Sequence, residues 1–430
     1  MYATEALLDA GVSVDVLERL PIPFGLVRYG VAPDHFSIRS VRNTLDKTLS
    51  RDGVRFLGNV NVGTDITLAE LHEHYDAIVF TYGASADRRL GIPGEDLDGS
   101  VAATELVAWY CGHPDAQVQK YETLIARTHA AAVIGVGNVA VDVVRVLAKN
   151  QDELSTTDMP QPVLDVLANS SITDVYLIGR RGPAQGAFTT KELRELGELA
   201  DAEVVVEPGS GVESAAQFIG ENKVAARNVD VITEWSERVS RGAKRRIHVM
   251  FLAKPVELLG DDAVQQLVLE RNALAADGSV SGTGERVTID VDLVVRSVGY
   301  RGEALGSLPF DESAGVVRNL DGRIVDADGA PVPGGYVAGW IRRGPSGIIG
   351  TNKKCGIGAV NALLEDLPGL PRATKRAPED VDALLASRGV QVVSKEGWRK
   401  IDAAEIALGE QHGRERTTLH QRDVLLEIAK

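Results

Sequence analysis

Cysteine is nearly missing from this chain, and the shortage excludes a good deal. Only Cys111 and Cys355 occur among 430 residues, far apart and in no C-x-x-C spacing. Iron–sulfur clusters, cysteine-ligated zinc sites and redox dithiols need thiolates close together, so none is supported. No apolar run approaches the length of a membrane helix, and no signal peptide is visible. Positive charge is in deficit: 46 Lys and Arg face 61 Asp and Glu, a formal net charge of −15. That balance argues against non-specific binding to nucleic acid or an anionic membrane, while leaving room for a local basic patch that receives an acidic protein. Low-complexity segments are lacking too. What is there, 44% apolar and 25% charged residues, describes a globular chain long enough for two or three domains. A soluble cytoplasmic protein is expected.

Against this background a Gly-rich loop stands out. Residues 133–142 read Val-Ile-Gly-Val-Gly-Asn-Val-Ala-Val-Asp. Val133 and Ile134 end an apolar run, Gly135 makes a tight turn, Gly137 lets the backbone approach a pyrophosphate, and Ala140 allows close packing of the following helix. The free N–H groups at that helix start favour an anion. Val136, Gly137, Asn138 and Val139 are therefore candidate cofactor contacts. The next apolar strand ends in Leu177-Ile178-Gly179-Arg180-Arg181-Gly182, where an NAD enzyme would carry an acidic residue for the ribose hydroxyls. Two guanidinium groups suit a 2′-phosphate instead, so NADP is favoured over NAD.

A second nucleotide signal lies at the start of the chain. Residues 1–10 read as a helix capped by Gly11, and 12–17 alternate like a strand that ends at Glu18. An acidic strand end is a ribose ligand in such folds, and it follows the Gly-rich loop by about twenty residues. The first Gly-x-Gly-x-x-Gly is thus expected upstream of residue 1.

After Glu18 comes Leu20-Pro21-Ile22-Pro23-Phe24-Gly25-Leu26-Val27-Arg28-Tyr29-Gly30-Val31-Ala32-Pro33-Asp34-His35, and near the other end Gly339-Trp340-Ile341-Arg342-Arg343-Gly344-Pro345-Ser346-Gly347-Ile348-Ile349-Gly350-Thr351-Asn352-Lys353-Lys354. Both segments resemble the adrenodoxin reductase-like branch of NADPH–ferredoxin reductases, and residues 135–145 and 179–195 resemble its NADP segments. The resemblance implies an α/β fold of two Rossmann-like, three-layer dinucleotide-binding domains, glutathione reductase-like, with the NADP domain inserted in the FAD domain. It divides the chain into residues 1–110 and 294–430 for FAD and 111–293 for NADP. It further implies an FAD-dependent oxidoreductase that moves electrons between NADPH and a ferredoxin-type iron–sulfur protein, by hydride transfer to flavin N5 and then single-electron transfers.

Carried over by motif, Glu18, Leu26, Val62, Trp340, Gly347, Ile348 and Ile349 would meet FAD. Arg88, Val136, Gly137, Asn138, Val139, Arg180, Arg181, Glu192 and Gly347 would meet NADP. His35 and Glu195 are the candidates for proton handling beside the flavin. Arg194, Arg180-Arg181 and the Lys244-Arg245-Arg246 cluster offer a landing site for an acidic, transient ferredoxin partner. With the first Gly-rich loop missing, this chain is expected to bind FAD weakly, and the competing reading is an FAD-free, non-catalytic NADP-binding protein.

Organisation along the chain is expected to follow the same plan. Strands are expected at 75–83, 294–300 and 335–339, a polar insertion at 150–171, and an edge meander of 246–252, 266–270 and 286–291. Helix patterns occupy 378–387 and 403–408 in a tail whose role the sequence does not disclose.

Overall fold

The computed structural model describes residues 1–347 and 349–430. The chain forms two compact units, one of residues 1–31, 35–86 and 299–430, the other of 32–34 and 87–298. Both are α/β.

In the first unit the alternating segment forms the strand Val14–Glu18, paired in parallel with Val54–Gly58. Gly11, at φ +77°, turns the chain from the helix Tyr2–Asp9 into it. That helix buries Leu7 in a cluster with Tyr336 of the strand Pro331–Val337 and with Val360, Ala362 and Leu363 of the helix Ile349–Asp366. Ile78–Phe80 pairs in parallel with Pro331–Val337, which continues antiparallel through Arg323–Val325 to Asn319–Leu320. The tail is part of this core. Val393, Trp398, Ile401 and Leu425 pack with Ile22, Val54 and Phe56, while Val381 and Leu385 pack with Leu57, Val60 and Ile66. The helix Pro378–Ser387 lies where its pattern placed it, and the expected 403–408 helix is part of a longer one, Lys395–Gln411.

The second unit is built on a six-stranded parallel sheet. Its order is Ser100–Ala102, Leu293–Arg296, Ala130–Ile134, Asp174–Ile178, Arg245–Met250, Ala202–Val206. Ala131, Ala132 and Val133 are fully buried, as suits a strand covered on both faces. The chain winds outward from Ala130–Ile134 on one side and returns beside it with Leu293–Arg296. The carboxyl end of that strand is therefore the switch point of the fold, where doubly wound sheets bind ligands. Because Ser100–Ala102 pairs with Leu293–Arg296, residues 87–110 pack with this unit rather than with the first.

Two expectations need correction here. The segment expected to open the meander lies inside the parallel sheet as Arg245–Met250, and the three-stranded antiparallel sheet is Ala253–Leu259, Gln266–Leu274 and Val280–Asp290. The expected polar insertion instead holds the helices Gln151–Leu154 and Gln161–Ala168, which bury Leu154, Val163, Leu164 and Leu167.

Candidate functional site

The Gly-rich loop follows the central strand. Gly135 has φ +135°, and a Cβ placed on it would lie 2.1 Å from the Ser297 carbonyl oxygen, so only glycine fits. Gly137 differs. Among the described residues nothing lies within 4 Å of its would-be Cβ, and as the N-cap of the helix Asn138–Ala148 it has no side chain of its own to bond the first turn. The result is a helix start with open space at Gly137 and no side chain there to keep an anion from the first-turn N–H groups, a setting that fits a pyrophosphate. Val136 and Asn138 frame it. The Val136 carbonyl accepts from Ala187 N–H at 2.8 Å, and Asn138 Oδ1 accepts from Thr189 N–H at 2.8 Å. Val139 is half-buried.

Arg180 and Arg181 are exposed at the end of the adjacent strand. Their backbones are pinned: Asn272 Nδ2 donates to the Arg180 carbonyl at 2.8 Å and Leu252 N–H to the Arg181 carbonyl at 3.0 Å. Among the described residues neither guanidinium has an ion-pair partner. Arg88 is exposed in the same unit. Glu192 is buried, with the Arg145 Nη1 donating to its Oε2 at 3.3 Å. Glu195 lies 3.4 Å from the same guanidinium.

The flavin-side candidates belong to the first unit. Glu18 ends its strand and accepts from Leu20 N–H at 3.0 Å. Its exposure is intermediate, but the surrounding protein is dense enough that desolvation raises its carboxyl above the usual range, against the Leu20 hydrogen bond. Leu26 is 48% exposed, an uncommon setting for so apolar a side chain beside the buried Val27 and Tyr29. Val62 is half-buried against Leu57, Val60 and Ile66. Trp340 follows Gly339, whose φ of +80° with ψ of −152° suits glycine alone. The indole stacks on Tyr300 at 6.0 Å between centroids, and its Nε1 is buried without a partner among the described residues. An orphaned indole donor in a native fold calls for an acceptor, and a flavin ring supplies several. Gly344 and Gly347 both have φ +81°, Gly344 facing open space, and Ile349 begins the following helix. Ile348 lies outside the described residues. His35 is buried and belongs to the first unit, Glu195 to the second.

No family model matches the chain. Individual relatives do. The NADPH-ferredoxin reductase FprA of Mycobacterium tuberculosis is 43% identical over 441 residues, covering 100% of this chain and 94% of its own. The mitochondrial NADPH:adrenodoxin oxidoreductase of Arabidopsis thaliana is 36% identical, covering 100% and 92%. A solved structure of M. tuberculosis FprA in complex with NADPH superposes with a TM-score of 0.90 at 41% identity, covering 100% of this chain and 96% of that one. The chain belongs to the NADPH–ferredoxin reductase family. Its fold, two Rossmann-like dinucleotide-binding units, is the fold of that family, and no described helix is long and apolar enough to cross a membrane.

Sequence reasoning missed a residue at the centre of the second unit. Arg145, fully buried on the helix Asn138–Ala148, forks onto Asp34 through Nε at 2.7 Å and Nη2 at 3.0 Å. Asp142 adds a bond at 2.9 Å and Lys149 reaches Asp34 at 2.8 Å. Burial pushes the Asp34 carboxyl up, but the Arg145 hydrogen bonds and charge, with Lys149, outweigh it and hold the group well below the usual carboxylate range. The available signal was one arginine inside an apolar helical run, three residues after an aspartate.

The expected basic cluster fares differently. Arg245 is buried and donates to the Ile172 carbonyl at 3.2 Å, and Arg246 pairs with Asp174 at 2.8 Å, so those side chains are not free cations. Arg194 is exposed. It lines an open cleft of about 430 Å³ with Thr190, Lys191, Glu195, Glu198 and Arg227.

Proposed function

We propose that this chain is an FAD-dependent oxidoreductase that moves electrons between NADPH and a ferredoxin-type iron–sulfur protein, with the Gly135–Arg181 face as its NADPH entrance. The observation that carries the reading is the pairing of a glycine-lined helix start with two exposed arginines at the next strand end that have no ion-pair partner among the described residues. In it Gly137 and the first-turn N–H groups hold the pyrophosphate, while Arg180 and Arg181 grip the 2′-phosphate from pinned backbones. Arg88 and Glu192 complete that site. In the first unit Glu18 binds the adenosine ribose, Leu26 and Val62 border the flavin path, and Trp340, Gly347 and Ile349 surround the ring. Bound FAD would supply a hydride acceptor at N5 and a one-electron donor to an iron–sulfur protein. His35 and Glu195 move or hold protons in this reading.

The FAD-free, non-catalytic alternative is not favoured by identity that runs the full length of the chain to NADPH-ferredoxin reductases. The partner in this reading is an acidic ferredoxin that docks transiently. Lys191, Arg194 and Arg227 around the open cleft support it, since they present local positive charge on a chain of net charge −15. The enzyme works as a cytoplasmic monomer. The experiment is a charge reversal at Arg194, assayed with NADPH and two acceptors. The KM for ferredoxin is expected to rise while ferricyanide reduction stays unchanged; equal losses with both acceptors would contradict the docking site.

A further inference from the structure

Glu405, in the helix Lys395–Gln411, is fully buried. Both its oxygens are occupied. Oε1 meets Arg28 Nη2 and accepts from Leu419 N–H at 2.9 Å, and Oε2 lies 3.4 Å from Arg416 Nη1. Arg28 belongs to the short helix Gly25–Tyr29, two residues from Leu26. Its guanidinium carbon lies 5.2 Å from the Tyr29 ring centroid and 5.8 Å from that of Trp398, close enough for cation–π attraction. Trp398, from the same helix as Glu405, meets Phe24 edge-on at 5.7 Å.

Phe24 has φ +81°, a left-handed backbone that a bulky side chain adopts only when its surroundings impose it. Two further bonds brace the segment from its own side, with Arg39 Nη1 donating to the carbonyls of Arg28 and Val31 at 2.8 Å each. A buried ion pair adds little net stability over apolar packing of the same volume, so its value here lies in fixing one conformation. What it fixes is the segment between Glu18 and Val31.

We propose that Glu405 is a positioning residue for FAD: the C-terminal helices clamp residues 22–31 through Arg28 and Trp398, hold Phe24 left-handed, and so present Leu26 and the Glu18 strand end as a preformed flavin-side surface. The proposal rests on the assignment of Glu18 and Leu26 to FAD. Without the carboxylate, Arg28 loses its ion pair in a buried setting, while Arg416 keeps Asp402 at 2.7 Å, and the constraint on Phe24 is released.

The test compares the unsubstituted full chain with Glu405→Gln by FAD titration, NADP+ titration and amide hydrogen exchange. Glu405→Gln is expected to raise the FAD dissociation constant at least tenfold and to speed exchange in residues 24–31 by a similar factor. NADP+ affinity and exchange in 130–148 should not change. Glu405→Asp, which keeps the charge, should recover part of both losses, and it carries the same comparison if Glu405→Gln does not fold. FAD uptake indifferent to the substitution overturns the clamp alone, as does faster exchange without weaker FAD binding, weaker FAD binding without faster exchange, or an equal loss of NADP+ affinity. Failure of the unsubstituted chain to take up FAD overturns the flavin assignment as well as the clamp.

Discussion

Gly135 and Gly137 sit two residues apart and obey different constraints. A methyl group on Gly135 meets the Ser297 carbonyl at 2.1 Å in a backbone conformation closed to other residues, whereas one on Gly137 meets nothing within 4 Å. Gly135→Ala should therefore cost stability, on the order of 1–3 kcal/mol for a strained backbone, read as a lower urea midpoint of the NADP unit. Gly137→Ala should leave the midpoint within about 1 kcal/mol, the usual worth of a helix cap, while weakening NADP+ binding measured by calorimetry. A matching effect of the two substitutions on both quantities would contradict this account. These positions, with Arg180, Arg181 and Glu18, were legible in the sequence because each follows from a local backbone or charge requirement at a strand end. Arg145 was not. Its partner Asp34 is remote in the chain, and spacing along a helix says nothing about what folds back onto it.

At the scale of elements, the helix Asn138–Ala148 does two things: its amino end is the phosphate site proposed above, and its buried Arg145 ties residue 34 to the helix Thr190–Leu196 through Glu192. Removing one partner of a buried ion pair leaves the others uncompensated, so Arg145→Met should destabilise the second unit by about 3–5 kcal/mol, with little dependence on salt. The pH dependence follows from Asp34. Its folded-state pKa is depressed, so its contribution to stability is fully present above the unfolded value of about 4 and is lost as pH falls below it toward the folded value. Urea midpoints measured from pH 7 down to pH 3 should fall in the acid limb, and Asp34→Asn should flatten that limb. An unaltered acid limb would show that Asp34 is not the titrating group. Element identity was mostly readable from apolar alternation, but pairing was not. Arg245–Met250 has the pattern of a meander strand, yet it lies between two parallel neighbours, because alternation reports burial and not the strand's partner.

For the whole molecule, two nucleotide-binding units were visible from two motifs, while the tail was opaque because its apolar residues complete another element's core rather than form their own. In the proposed function Arg180 and Arg181 select NADPH over NADH. Each charge-assisted hydrogen bond to the 2′-phosphate is worth about 1.5–3 kcal/mol, and each 1.4 kcal/mol is tenfold. The direct measurement is kcat/KM for NADPH and for NADH, with FAD supplied in excess, on the unsubstituted chain and on Arg180→Ala and Arg181→Ala. Each substitution should lower the NADPH-to-NADH ratio by roughly ten- to a hundredfold with NADH use nearly unchanged. A ratio that does not move would contradict the 2′-phosphate site, and with it the entrance on which the account depends.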